Sequence, residues 1–143
     1  GLAVLTGLLD DDRTTFQGRY YALTDAMNNP KPIQRPLPIC IGGVGRTRTL
    51  PLAARYAHHW NYSGSDPREF AECRAVLHDA CAAIGRDPAE VRCSTVMRFS
   101  DVDAFRSDVA AFAAAGAELG IVSLPKTAPP SVVEDAAAAI ASL

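Results

Sequence analysis

No apolar run in this chain of 143 residues approaches the ~20 residues a membrane span requires. The chain also lacks a charged leader with an apolar stretch and a small-residue cleavage site. Those two absences predict a soluble, cytoplasmic protein. There is no surplus of positive charge either. Fourteen Lys and Arg stand against sixteen Asp and Glu, a formal net charge of -2, which excludes non-specific binding to nucleic acid or an anionic membrane as the main activity. The four cysteines, Cys40, Cys73, Cys81 and Cys93, contain no C-x-x-C pair, and no spaced histidine pair completes a zinc site. No metal is expected. Cys73 and Cys81 fall instead on the apolar stripe Phe70, Cys73, Leu77, Cys81, Ile84, where a reduced cysteine packs as a small hydrophobe. What the chain does have is 48% apolar residues, enough for the core of one domain or part of a larger one.

The chain starts at Gly1, and Leu2, Leu5, Leu8 and Leu9 already repeat at helical spacing, as if a helix were entered midway. Residues 1–35 are expected to be the end of a helix followed by an extended insertion, because Pro30, Pro32, Pro36 and Pro38 exclude helix there. From residue 36 to 143 an apolar run and a helix-period segment alternate four times. The first run, Pro38 to Ile41, leads through glycines to a helix with Leu50, Ala53, Ala54 and Ala57 inward. Pro51 belongs in a first turn, so that helix should begin near Arg48 or Thr49. The second run, His59 to Tyr62, precedes a helix opened by Asp66-Pro67-Arg68-Glu69 and stopped by Gly85 as a left-handed cap. The third, Val91 to Phe99, precedes a helix with Val102, Phe105, Val109, Phe112 and Gly116 on one stripe. The fourth, Leu119 to Leu124, precedes a capping box, Ser131-x-x-Glu134, and a helix with Val132, Ala136, Ile140 and Leu143 inward.

Strands alternating with helices predict an α/β fold with parallel strands and right-handed crossovers. Four units of about 27 residues each compare with ~31 per unit in a (β/α)8 TIM barrel of ~250 residues. The expectation is the C-terminal half of such a barrel, with two unpaired edges and an uncovered apolar face that a missing half or a second copy would close.

The sharpest chemical signal is Ile39-Cys40-Ile41-Gly42-Gly43-Val44-Gly45-Arg46, at the C-terminal end of a strand and the mouth of a helix. Glycines there let backbone amides turn toward an anion, the helix N-terminus adds partial positive charge, and Arg46 and Arg48 could add charge-assisted hydrogen bonds. A phosphate suits such a loop; a tight turn with solvated arginines is the plainer alternative. Neither a dinucleotide G-x-G-x-x-G, which would need Gly or Ala where Arg48 stands, nor a P-loop matches. His58 and His59, adjacent on a strand, point to opposite faces and sit at its N-terminal end, away from barrel chemistry. Asn61, Tyr62 and Ser63 at the other end are better placed to line a pocket, and Arg98, Ser100 and Lys126 fall near later strand ends, where an anionic ligand could be met; for all but Asn61 the expected reading is an exposed loop residue. No supported nucleophile–base pair is evident.

The ordered set Phe16-Gln17-Gly18-Arg19-Tyr20-Tyr21, Asn29-Pro30-Lys31-Pro32-Ile33-Gln34, Pro38 to Gly45, Ala53-Ala54-Arg55-Tyr56-Ala57 and Trp60-Asn61 resembles the C-terminal part of the luciferase-like monooxygenases. Gly85 to Val91 is typical of their deazaflavin (F-420)-dependent oxidoreductase branch. Family members usually carry Ala-Asp-Gly-Trp where this chain has Ala57-His58-His59-Trp60. The resemblance implies a (β/α)8 barrel whose mouth holds FMN or coenzyme F-420, with the cofactor phosphate on Gly42, Gly43, Val44 and Gly45 and Arg46 beside it. It implies an oxidoreductase or monooxygenase acting on a small organic substrate, homo-oligomeric when full length, with the cofactor doing the chemistry and no catalytic triad. The half that would cradle the ring system is expected to be missing, so this stretch alone should be inactive. The competing readings are a barrel enzyme for a phosphorylated substrate without a redox cofactor, and a noncatalytic half-barrel module.

Overall fold

The computed structural model describes residues 1–141; Leu143, expected on the inner face of the last helix, lies outside them. The chain divides into two compact units, Gly1–Ile39 and the part from Cys40 onward. In the first, helix α1 (Leu2–Asp10) is followed by an antiparallel hairpin of strands β1 (Thr14–Gln17) and β2 (Ala22–Ala26). The leucine spacing anticipated the helix. The hairpin inside the expected extended insertion was not anticipated, because its strands are short and mostly exposed, so they carry little apolar alternation. Lys31 Nζ donates to the Leu8 and Asp11 carbonyls, which places a cation at the negative end of α1.

In the second unit the elements alternate: β3 (Cys40–Gly42), α2 (Thr49–Tyr56), β4 (His59–Tyr62), α3 (Pro67–Ala83), β5 (Arg92–Arg98), α4 (Val102–Ala114), β6 (Leu119–Ser123) and α5 (Ser131–Ala141). A short 3-10 turn, Pro88–Glu90, precedes β5. The four strands form one parallel sheet in the order β3-β4-β5-β6. Sequential order without reversal is that of a sheet wound in one direction, as in a barrel; a doubly wound sheet reverses at a switch point. The arrangement is a partial TIM-barrel-like fold.

Side-chain alternation sorts the two faces. One face turns Trp60, Tyr62, Cys93, Thr95 and Met97 toward the helices, where all are buried. Phe70 of α3 stacks on Trp60, with ring centroids 5.4 Å apart, and meets Tyr62 and Phe112 edge-on. The register puts the other face on the alternate residues, among them His59, Asn61, Ser94, Val96, Arg98, Leu119 and Ile121. Val96, Leu119 and Ile121 are each about two-fifths exposed, as expected for a sheet covered on one side.

The helix signals act as their chemistry requires. Asp66 accepts from the Arg68 amide ahead of Pro67, and Asp101 from that of Ala104. Gly85, at φ +71°, closes α3, with the Arg86 amide donating to the Cys81 carbonyl. Leu50, Ala53, Ala54 and Ala57 are all buried, and α2 begins at Thr49. Three stripe ends depart from expectation. Ile84, Val102 and Ile140 are substantially exposed: Ile84 lies at the α3 cap, Val102 opens α4, and Ala139 takes the buried place next to Ile140 on α5. Ser131 is the first helical residue of α5, one position later than an N-cap role requires.

Candidate functional site

The loop from Gly42 to Arg48 leaves β3 at its C-terminal end and enters α2. Gly43 sits at φ +122°, a region closed to most side chains. Its N–H donates to the Asn61 carbonyl at 3.0 Å, and its carbonyl accepts from Trp60 Nε1 at 2.8 Å. The Gly43 amide is therefore used to extend the sheet. At Gly45 a Cβ would lie 2.7 Å from Thr49 Oγ1, too close for any side chain without displacing Thr49; Gly42 has room for one. The Gly45 carbonyl accepts from the Leu50 amide, and half-buried Val44 packs on the core.

Among the described residues the amides of Val44, Gly45 and Arg46 donate to no backbone carbonyl in this loop. No side chain caps α2 at Arg48, its N-cap, so the positive end of the helix dipole adjoins these amides. Arg46 is turned to α3, where its Nη2 meets Glu72 Oε2 at 2.5 Å in an exposed pair. An anion in the loop would have to share that guanidinium.

A second cluster lies on the open sheet face. Ser94 Oγ is 2.5 Å from His59 Nε2 and accepts from Asn61 Nδ2 at 2.8 Å. The β4–β5 register, which pairs Asn61 with Ser94, makes this meeting; the 33 and 35 residues between the partners left no local signal. Ser94 is fully buried while His59 and Asn61 are half-buried, and the serine hydroxyl is engaged by both of them.

Burial, then the neighbouring Arg92, lowers the His59 pKa, opposed by Glu118. The native state therefore holds fewer protons than the unfolded chain as pH falls toward and below the ordinary histidine value. Stability should be complete above pH ~6.5 and decline below it. Urea midpoints measured from pH 7.5 to 5 should show that decline, and His59→Gln should flatten it. His78, lowered for the same first reason and by Arg74, should retain its own part; an unchanged slope in His59→Gln would exclude His59 as a contributor.

Tyr62, expected near a pocket, points into the core. Its hydroxyl donates to Glu69 Oε2 at 2.5 Å, and burial followed by that bond pushes its pKa up to about 12. Ser63 and Arg98 line a cleft at the strand ends together with Ser123. Ser100 lies instead beside Asp101 at the start of α4, and Lys126 is exposed beyond β6. Among the described residues no cluster of His, Cys, Asp or Glu could hold a metal, and no helix is long and apolar enough to cross a membrane.

A parallel four-stranded sheet in sequential order, with helices between its strands, is a partial α/β fold of TIM-barrel-like arrangement. The chain belongs to the luciferase-like monooxygenase family, whose model matches residues 2–113. No curated protein matches it. Among solved structures, an F-420-dependent secondary alcohol dehydrogenase, in complex with an F-420–acetone adduct, is similar at 16% identity and TM-score 0.79, over 93% of this chain and 57% of that one. The coenzyme F-420-dependent tetrahydromethanopterin reductase from Methanopyrus kandleri is similar at 13% identity and TM-score 0.74, over 95% and 59%. Monooxygenase RslO1 from Streptomyces bottropensis gives 19% identity and TM-score 0.55, over 96% and 38%. The chain thus spans less than two thirds of the length of each of these structures, and at such identities the likeness is one of fold.

Proposed function

We propose that this chain is the C-terminal part of a flavin- or deazaflavin-dependent oxidoreductase, and that the loop Gly42-Gly43-Val44-Gly45-Arg46 holds the cofactor phosphate. The observation that carries the reading is the set of three consecutive amides, Val44 to Arg46, with no backbone acceptor at the uncapped start of α2. That is the donor set a phosphate needs. Gly43 supports the loop by clamping it to β4, and Gly45 by its close approach to Thr49. When bound, FMN or coenzyme F-420 supplies the hydride or oxygen chemistry; the protein supplies position and charge. Family membership and the fold shared with two F-420-dependent enzymes support the class.

The test is an amide NMR titration of the protein with FMN, with F-420 and with inorganic phosphate. Saturable shifts centred on residues 44–46, shared by the cofactors and phosphate, are expected. Cofactor shifts elsewhere, with this loop silent, would remove the assignment.

A further inference from the structure

Thr95, in the middle of β5, is fully buried, and among the described residues its Oγ1 has no hydrogen-bond partner. A hydroxyl taken out of water with nothing to bond destabilises the fold. Valine has nearly the same shape and would avoid that cost.

The threonine lines a cavity of about 280 Å³. Register pairs Thr95 with Gly120 and Met97 with Val122, and alternation puts all four on the helix side of the sheet, where Val109 and Phe112 of α4 complete the wall. Gly120 supplies no side chain opposite Thr95. The room above it is shared with Met97, whose Cε would collide with a Cβ at Gly120. Ile140, about half exposed, borders the cavity from α5. The side chains facing it are therefore apolar, apart from Thr95 at the inner end and exposed Glu118 at the rim. A water there would find few partners besides Thr95, against the roughly three hydrogen bonds a buried water makes. The volume exceeds that of an apolar cavity of about 150 Å³, which already takes up benzene.

We infer that this cavity binds a small uncharged molecule, hydrocarbon over most of its surface, with one polar oxygen that the Thr95 hydroxyl engages. The hydroxyl both donates and accepts, so an alcohol or carbonyl oxygen suits it. Apolar walls and the Glu118 carboxylate disfavour an anion. Met97 gives way to bring the ligand to Thr95, because an unbranched thioether side chain repacks readily. The site lies on the helix side of the sheet, apart from the glycine loop, and does not depend on the cofactor reading.

The test labels the methyl groups of the two methionines, Met27 and Met97, and titrates the protein with benzyl alcohol, toluene and benzoate. Benzyl alcohol and toluene should each shift the Met97 methyl saturably and leave Met27 unmoved, with benzoate about tenfold weaker or more. Thr95→Val should weaken benzyl alcohol about fivefold, the loss of one hydrogen bond, and leave toluene unchanged or tighter. Thr95→Ser, which keeps the hydroxyl, should preserve the parental ratio of the two ligands. Thr95→Val should also unfold at a urea midpoint no lower than the parent's. No saturable shift at Met97, benzoate binding as tightly as the alcohol, a Thr95→Val effect equal for both ligands, or a lower urea midpoint for that variant, which would show the hydroxyl already satisfied, would overturn the proposal.

Discussion

The Gly43→Val protein is expected to bind FMN or coenzyme F-420 at least tenfold more weakly than the parent. At φ +122° a β-branched residue carries backbone strain of about 1–3 kcal/mol, and its Cβ would press to 3.2 Å from the Thr49 methyl. Relief requires the backbone to rotate, but both Gly43 polar groups are held by β4, the N–H by Asn61 and the carbonyl by Trp60. Rotation would break those bonds and turn the next three amides, the donors proposed to hold the cofactor phosphate. Losing donor contacts worth about 1.4 kcal/mol is a tenfold change in affinity. Fluorescence titration with each cofactor measures it, with circular dichroism to establish that the variant is folded. A folded variant with parental affinity would separate Gly43 from cofactor binding.

Trp60 should yield the largest change in stability. It is the only tryptophan of the chain, fully buried, stacked on Phe70 and edge-on to Tyr62. Removing it opens a cavity beside two aromatic rings, and Trp60→Ala should cost about 3–5 kcal/mol, a large part of the stability of a domain this size. Trp60→Phe keeps most of the volume and deletes the indole N–H that holds the Gly43 carbonyl. Its expected cost is smaller, about 1–2 kcal/mol, but it releases the glycine loop. Urea unfolding of both variants by circular dichroism, beside a cofactor titration of Trp60→Phe, separates the two roles. Reduced affinity with nearly parental stability is expected for Trp60→Phe; unchanged affinity would show that the indole contributes packing alone.

These two residues illustrate what was readable in advance. The Ile41-Gly42-Gly43-Val44-Gly45 stretch announced a turn at a strand's end, and local chemistry placed the start of α2 correctly because a proline admits few positions in a helix. That the Gly43 amide would be spent on β4 was not readable, since it depends on a hydrogen bond to a residue 18 positions away. The same holds for His59 and Ser94, which no spacing rule connects. Tyr62 followed the alternation of its strand into the core, as Trp60 does two residues earlier. Reading it as pocket-lining gave weight to its closeness to the strand end and neglected the face on which period two puts it. The hairpin of β1 and β2 was hidden for the opposite reason: strands exposed at most positions leave no apolar period to detect.

By itself the sequence determined the alternating strands and helices of the second unit, the inward face of α2 and of most of α3, and the caps at Asp66 and Gly85. Each depends on interactions within a turn or two of chain, which residue type and spacing encode directly. Tertiary structure alone decided that the Gly43 amide is taken by β4, that Arg46 points to Glu72, and that the pairing of β5 with β6 runs further than its pairing with β4. Those outcomes depend on register between strands that are distant along the chain, and pairing energy compares whole strands rather than single residues.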